Sequence, residues 1–464
     1  IMTNLTNLFL IALGVIATHG EDSFASSLHE KAQGQSVPQS LIVKMKRNTS
    51  VWGLNAQLAT MSLDSRSVGA ISEVEALHGA LDQGATKLLR FAAGLTSKEA
   101  AKKLQSSGLV EWAQPNYYLS IFKTEEELNG SVELFRGFDI LKNGFDVLQT
   151  ANPPFQSPIG EPAENLGDPL MGELWGLERT RANLAWEAQP GSRDIIVADI
   201  DTGVDYNHED LNQNMWEGVG YDFADKDAFP FDGHGHGTHT SGTIAGVGGN
   251  GIGVSGVAQK ASIMAVRFIG DQGYGTTADA ILSIDYAVAN GARVLSNSWG
   301  GTPEEDDSLN IALKESIERA AEADVLFVAA AGNDGADNDS RPLYPAAYDV
   351  ENIITVAATN DRDRRSFFSN YGAESVDLGA PGSNILSAVP GNKYQKNSGT
   401  SMACPHVAGL AALILAERPE LTALEVKEII LSTVDPFPAL QGITVTGGLM
   451  NVQAALEGAR QFDR

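Results

Sequence analysis

The chain of 464 residues has one cysteine, Cys404. No intrachain disulfide can form, so stability has to come from a large buried core, with bound metal ions as a further brace. It is also short of bilayer-length apolar sequence near its start. The run Leu8 to Ala17 is too short to span a membrane, and no stable membrane insertion is expected. Positive charge is scarce: 32 Lys and Arg stand against 59 Asp and Glu, a net charge of −27. That balance argues against a nucleic-acid partner. The deficit is uneven. Residues 1–166 hold 13 Lys and Arg against 17 acids, and residues 167–464 hold 19 against 42. The acidic surplus of the second part reads as a solvated surface with capacity for cations.

What is present is 43% hydrophobic residues and 48 glycines, a composition for a globular protein with many tight turns. The length allows two or three domains. The run Leu8 to Ala17 reads as the core of a signal peptide, with Ser23-Phe24-Ala25 as its small-residue cleavage site. Residues 1–25 are then a signal peptide, and the protein is expected to be secreted.

Further along, Leu41 to Met45 begins as a strand. Lys98 to Leu104 has a helical pattern, with Thr96 and Glu99 placed as a capping box. Residues 123–166 change character: Glu125-Glu126-Glu127 is followed by Asn152-Pro153-Pro154 and Pro158-Ile159-Gly160, which reads as a linker. From Asp168 onward, apolar runs at Ile195–Ile200, Ile263–Ile269, Val294–Leu295, Val325–Ala331 and Ile353–Ala358 alternate with helical patterns at Thr238–Ala245, Ala278–Ala289 and Leu309–Ala323. The alternation predicts an α/β domain with a mostly parallel central sheet and helices on both faces. In such sheets function gathers at the carboxyl ends of strands, where Asp201, Ser298 and Asn333 fall.

The chemistry is concentrated in three segments. Ser398-Gly399-Thr400-Ser401-Met402-Ala403-Cys404-Pro405-His406 runs into an apolar helical pattern. Proline is tolerated in the first turn of a helix, so Pro405 places the helix start near Ser401. Backbone N–H groups and the positive end of the helix dipole then lie beside that hydroxyl, a setting for a nucleophile whose reaction creates an oxyanion. The second segment is Asp199-Ile200-Asp201-Thr202-Gly203-Val204-Asp205, at the end of an apolar run. The third is Gly235-His236-Gly237-Thr238-His239-Thr240-Ser241-Gly242. Together, in the order Asp, His, Ser, they resemble the subtilisin-like serine proteases, or subtilases.

The resemblance implies a triad. Ser401 is the nucleophile, His236 the base that takes and returns its proton, and Asp201 the group that orients the imidazole. It selects His236 over His234 and His239, and Asp201 over Asp205. Asn333, in Ala330-Ala331-Gly332-Asn333-Asp334-Gly335, becomes the side chain of the oxyanion hole with the N–H of Ser401. Ser296-Asn297-Ser298-Trp299-Gly300-Gly301 resembles the segment that pairs with an extended substrate. Ser298, Trp299 and Gly300, with Ala330, Ala331 and Gly332 in the pocket, are the implied binding residues. Recognition through main-chain hydrogen bonds permits many sequences. Leu343 stands where the family often has glycine, which implies a changed pocket depth. Gly249 to Val254 resembles a tight calcium loop, using Asn250 and the carbonyls of Ile252 and Val254 with Asp168 and Asp210. Asp222 and Asp227 resemble a second, weaker loop.

Val110 to Tyr117 resembles the end of a subtilase prodomain. Residues 38–122 are therefore expected to form a small α+β unit that acts as an intramolecular inhibitor, with the catalytic domain at 167–464. The expected activity is a secreted, self-processing, monomeric serine endopeptidase of broad specificity, acting on proteins or peptides with Ca2+ bound. A catalytically silent peptide-binding relative is the alternative. A lipase-type site is disfavoured by Gly-Thr-Ser-Met-Ala at Ser401 and by the triad order. A metal cluster at the three histidines is disfavoured by their spacing. Cys404 is expected to be packing.

Overall fold

The apolar runs after Asp168 become adjacent strands because each is buried on both faces, which a parallel sheet between helical layers requires. The computed structural model describes residues 35–46, 71–76 (backbone only), 86–91, 96–122, 167–302 and 310–463. The signal-peptide run, its cleavage site and the stretch 123–166 lie outside them. Strands β5 (Gly191–Asp201), β6 (Met215–Asp222), β7 (Lys260–Arg267), β9 (Val294–Asn297), β11 (Leu326–Ala330), β12 (Ile353–Thr359), β13 (Leu378–Pro381), β16 (Asp435–Pro436) and β17 (Gly448–Leu449) form one sheet. Its order is β16-β17-β13-β12-β11-β9-β5-β7-β6. Every pairing is parallel except β16 with β17.

The helices that cover this sheet include α2 (His236–Ala245), α3 (Thr277–Ala289), α4 (Ile311–Glu322), α5 (Thr400–Glu417), α6 (Ala423–Ser432) and α7 (Val452–Gln461). The central one, α5, is apolar on all sides, and Thr400 to Leu415 is buried throughout. Among the described residues it alone is long and apolar enough to cross a membrane, yet 89% of that window is buried within the protein. It packs against α2, β5, β9, β11 and β12. Each buried Leu, Ile or Val on it stabilises the fold by about 1.5–3 kcal/mol, which is how a chain with one cysteine holds together.

The N-terminal part is a separate antiparallel sheet of β1 (Ser36–Met45), β2 (Ile71–Ala76), β3 (Thr86–Phe91) and β4 (Val110–Ile121), in the order β2-β3-β1-β4. Helix α1 (Ser97–Ser106) carries the expected capping box between Thr96 and Glu99. Leu41, Val43, Leu89, Phe91, Ala100 and Leu104 close a small core of their own.

Strand β4 runs four residues past Tyr117 because its second half is paired by the larger domain. There it lies between β8 (Tyr274–Thr276) and β10 (Trp299–Gly300), antiparallel to both. Two of its polar side chains serve helix starts, where backbone N–H groups have no partner within the helix. Gln114 accepts the N–H of Ala312 at 3.0 Å on α4, and Asn116 that of Ala278 at 3.0 Å on α3. Glu315 of α4 accepts from Lys44 at 2.8 Å and from the Trp112 indole at 2.9 Å.

Candidate active site

Strand β5 ends on Asp201, and α2 begins on His236. The two meet because α2 lies across the end of β5. Asp201 Oδ1 is 2.7 Å from His236 Nδ1, with both side chains buried. Oδ1 also accepts the Thr202 N–H at 2.7 Å, which fixes the carboxylate. Burial pulls the His236 pKa down, but the charge and hydrogen bond of Asp201 outweigh it, and it stands above the usual histidine value. The far nitrogen, Nε2, is buried and has no hydrogen-bond partner. Gly237 lets the helix start press onto the strand end: any Cβ there would collide with the Gly203 carbonyl.

The other two histidines go elsewhere. His239 directs Nε2 at the carbonyls of Ile385 and Gln395, at 2.9 and 3.1 Å, and burial pushes its pKa down to about 4. His234 is exposed. Asp205 is occupied by the N–H groups of Asn207 and Gly391. The three histidines therefore do not converge as metal ligands would.

Helix α5 starts at Thr400. Pro405 is thus in its second turn rather than its first, a correction to the expected placement. Proline lacks the N–H that would pair with the carbonyl four residues earlier, here that of Ser401. The Ser298 hydroxyl takes that carbonyl instead, at 3.0 Å, so the break in the helix ladder carries no unmet hydrogen bond. In return the Ser401 hydroxyl donates to the Ser298 carbonyl at 3.2 Å.

Asn333 follows β11. Its Oδ1 accepts both the N–H and the hydroxyl of Thr400 at 2.8 Å. This turns its amide nitrogen toward the serine turn, 3.0 Å from where a Cβ on Gly399 would stand. Cys404 is wholly buried, near the Val328 carbonyl at 3.4 Å, and burial pushes its thiol up to about 12. It is packing, as expected.

The cleft beside these groups is occupied by β4. Leu119 pairs with Gly275, Ser120 with Tyr274 and Gly300, and Ile121 with Trp299. Trp299 is buried, edge-on to Phe268 at 4.9 Å. Phe122 reaches over Gly300, where a Cβ would come 2.8 Å from its ring and 2.9 Å from Leu343. Leu343 also stands 3.1 Å from the Cβ position of Gly332. Leu343 therefore fills the space between Gly300 and Gly332, and Ala330 and Ala331, at and just after the end of β11, are fully buried.

Asp168 and Asp210 are both buried and converge on the loop 249–254. Asp168 accepts the N–H groups of Gly249 (2.7 Å) and Gly251 (3.0 Å). Asp210 accepts the Asn250 amide and the Val254 N–H, each at 2.7 Å. Burial, opposed by these hydrogen bonds, raises the Asp210 pKa. The Ile252 N–H closes on Asn250 Oδ1 at 2.7 Å.

The second loop is a different matter. Asp222 is ion-paired with Arg267, whose guanidinium also holds Asp225 at 2.7 Å and Asp271 at 3.0 Å. Asp227 accepts the Phe229 N–H at 2.8 Å. A fixed side-chain cation already supplies the charge that a metal would bring, so the expected pair Asp222 and Asp227 does not form a vacant carboxylate site.

Two buried aspartates escaped the sequence reading. Asp232 accepts from the Thr202 hydroxyl, from the N–H groups of His234, Gly235 and Thr238, and from the Thr238 hydroxyl, at 2.6–2.9 Å. It ties the start of α2 to the residue after Asp201. Asp199 lies two residues before Asp201 and accepts the hydroxyls of Thr240 (2.7 Å) and Ser241 (2.6 Å). The sequence signal was the pair of Asp199 on an otherwise apolar strand with consecutive hydroxyls four and five residues after His236.

Comparison with known proteins fits this geometry. The Subtilase family model matches residues 192–454. A thermophilic serine proteinase of Bacillus sp. (strain AK1) is 35% identical over 370 residues, 79% of this chain and 86% of that protein. Thermitase of Thermoactinomyces vulgaris is 43% identical over 243 residues, 52% of this chain and 82% of that protein. In structure, fervidolysin of Fervidobacterium pennivorans, described as a keratinolytic enzyme related to subtilisin, matches with a TM-score of 0.70 at 27% identity. The match takes in 91% of this chain but 61% of fervidolysin. From fold, site geometry and these matches together, the chain belongs to the subtilase family and is a subtilisin-like serine endopeptidase.

Proposed function

We propose that the protein is a secreted, self-processing endopeptidase of broad specificity that cuts peptide bonds through an acyl-enzyme on Ser401. The observation that carries this is the buried Asp201–His236 pair at 2.7 Å, whose outer nitrogen has no partner, packed against the helix that begins at Thr400 and carries Ser401 in its first turn. Turning the Ser401 hydroxyl away from the Ser298 carbonyl frees its proton for His236 Nε2. The oxygen then attacks the substrate carbonyl, and Asp201 stabilises the imidazolium that forms. The Asn333 amide and the Ser401 N–H are the donors for the oxyanion. His236 returns the proton to the leaving amine, and water releases the acyl group by the same route.

The substrate strand is read from β4, whose antiparallel pairing with β8 and β10 supports the prodomain reading. Continuing the register in which Ile121 pairs with Trp299 would bring Phe122 opposite Ser298, whose carbonyl accepts from Ser401. Processing is therefore proposed at Phe122–Lys123, with Phe122 packed beside Gly300 and Leu343. Export rests on the Leu8–Ala17 run. For Ca2+, the residues of the 249–254 loop fit: two buried carboxylates face one loop, and neither makes an ion pair among the described residues. Asp168, Asp210, Asn250 and the carbonyls of Ile252 and Val254 would hold the ion, which would neutralise the carboxylates and brace the fold.

Ser401→Ala is expected to remain full length and inactive on casein. The wild type should yield a species beginning at Lys123 by mass spectrometry and label at Ser401 with a fluorophosphonate. Self-cleavage by the alanine variant would refute the reading; labelling failure in a folded wild type would favour the silent, peptide-binding alternative.

A further inference from the structure

The reaction described above uses Asp201, but β5 carries a second carboxyl on the same face. Side chains two apart on a strand share a face, and α2 runs along that face. His236 meets Asp201, and one turn later Thr240 and Ser241 meet Asp199. Both hydroxyls go to Oδ2, and Oδ1 is buried without a partner. Among the described residues Asp199 has no ion-pair partner.

We propose that Asp199 is a positioning residue for His236: a neutral carboxyl that pins α2 to β5 one turn beyond the imidazole, and whose charge reaches the His236–Asp201 pair only once it loses its proton. The proposal rests on the triad reading above.

The surroundings explain why the group is neutral first. Asp201 stands beside it on β5. From α2 it faces His236, whose positive form would favour the anion. From α5 comes Cys404, itself pushed up to about 12. Across β5, β9 places Ser296 opposite Asp199. Arg267, at the end of β7, is committed to Asp222, Asp225 and Asp271, and Asp232 adds another acid near His236. A buried carboxylate with no fixed cation facing it and an acid two residues away is costly, so the proton stays on. Burial, then the charge of Asp201, raises the Asp199 pKa to about 8 against the pull of the Ser241 and Thr240 hydroxyls.

Above that pH the new charge favours the imidazolium that forms as His236 takes the serine proton. Half to one pKa unit of such stabilisation corresponds to an about three- to tenfold gain in turnover. The wild type should thus show two rises in kcat/KM with pH: one for deprotonation of His236, and a second centred near pH 8.

The test is the pH–rate profile of the mature enzyme on a chromogenic peptide, with Ser401→Ala as the blank. Asp199→Asn should keep the first rise in place and lose the second. Ser241→Ala removes a hydroxyl that favours the anion, so its second rise should move to higher pH. If Asp199→Asn does not fold, the Ser241→Ala shift alone decides, since a merely structural role would leave the profile unmoved. An unchanged profile in the folded variants overturns the proposal. So does a first rise displaced to lower pH in Asp199→Asn, which would mean the group is already charged at neutral pH. Wild-type turnover that survives Ser401→Ala refutes the triad reading instead and takes this proposal with it.

Discussion

Asp201 has one bonded oxygen toward His236 and Thr202 and a second that is buried without a partner. Its charge, more than its hydrogen-bond count, is what holds the imidazole pKa up against burial. The sign follows. His236 must be neutral to act as base, so activity rises with pH as the imidazolium loses its proton, in a range above the ordinary histidine value. Asp201→Asn removes the anion and can leave the wrong ring nitrogen protonated. We expect the acid limb of kcat/KM to move to lower pH and turnover to fall about 10⁴-fold, measured in steady-state assays across pH. The choice of His236 over its neighbours was legible from the order of motifs. That His239 bonds two strand carbonyls was not, because those partners lie 146 and 156 residues away.

At the scale of the element, α5 shows how one proline and one serine compensate each other. The sequence located the helix start to within a residue, Thr400 against Ser401, but it put Pro405 in the wrong turn. A proline in the second turn is tolerated because Ser298, 103 residues away, supplies the missing donor to the Ser401 carbonyl. Ser298→Ala should leave that carbonyl buried and unsatisfied, costing about 1–3 kcal/mol. Pro405→Ala restores an N–H in the helix, so the double variant should recover part of the loss. Urea unfolding of the four species in a Ser401→Ala background, which prevents self-digestion, measures the coupling. Equal losses added without recovery would mean that the two residues act apart.

Across the molecule, two devices join distant parts. Glu315 on α4 holds Lys44 and the Trp112 indole of the N-terminal domain, on the same face where Gln114 and Asn116 meet helix starts. On the self-processing proposed above, Glu315→Ala should loosen that unit and shorten the lag before activity appears, read in a continuous assay of freshly folded enzyme. An unaltered lag would mean that the cleft strand alone sets release. The other device is the Asp168–Asp210 loop. A bound ion stabilises only the native state, by mass action, and no disulfide shares the task. Thorough chelation should lower the melting temperature, and restoring Ca2+ should return it. A melting temperature indifferent to both would remove calcium from the account.

Contiguous motifs, read through their resemblance to the subtilases, were enough to single out Asp201, His236 and Ser401 as the candidate triad. A strand end, a glycine-flanked helix start and a serine ahead of an apolar helix are written in contiguous residues. The alternation of apolar runs and helical patterns likewise sufficed for the parallel sheet. Tertiary structure decided what depends on burial and on partners far apart in the chain. Arg267 rather than a metal answers Asp222, Asp232 locks the start of α2, and β4 takes the register that sets Ile121 opposite Trp299. These outcomes were beyond the sequence because a carboxylate's role is set by which donor or cation folding brings to it. For a buried group that choice is settled by desolvation, which exists only once the core has closed.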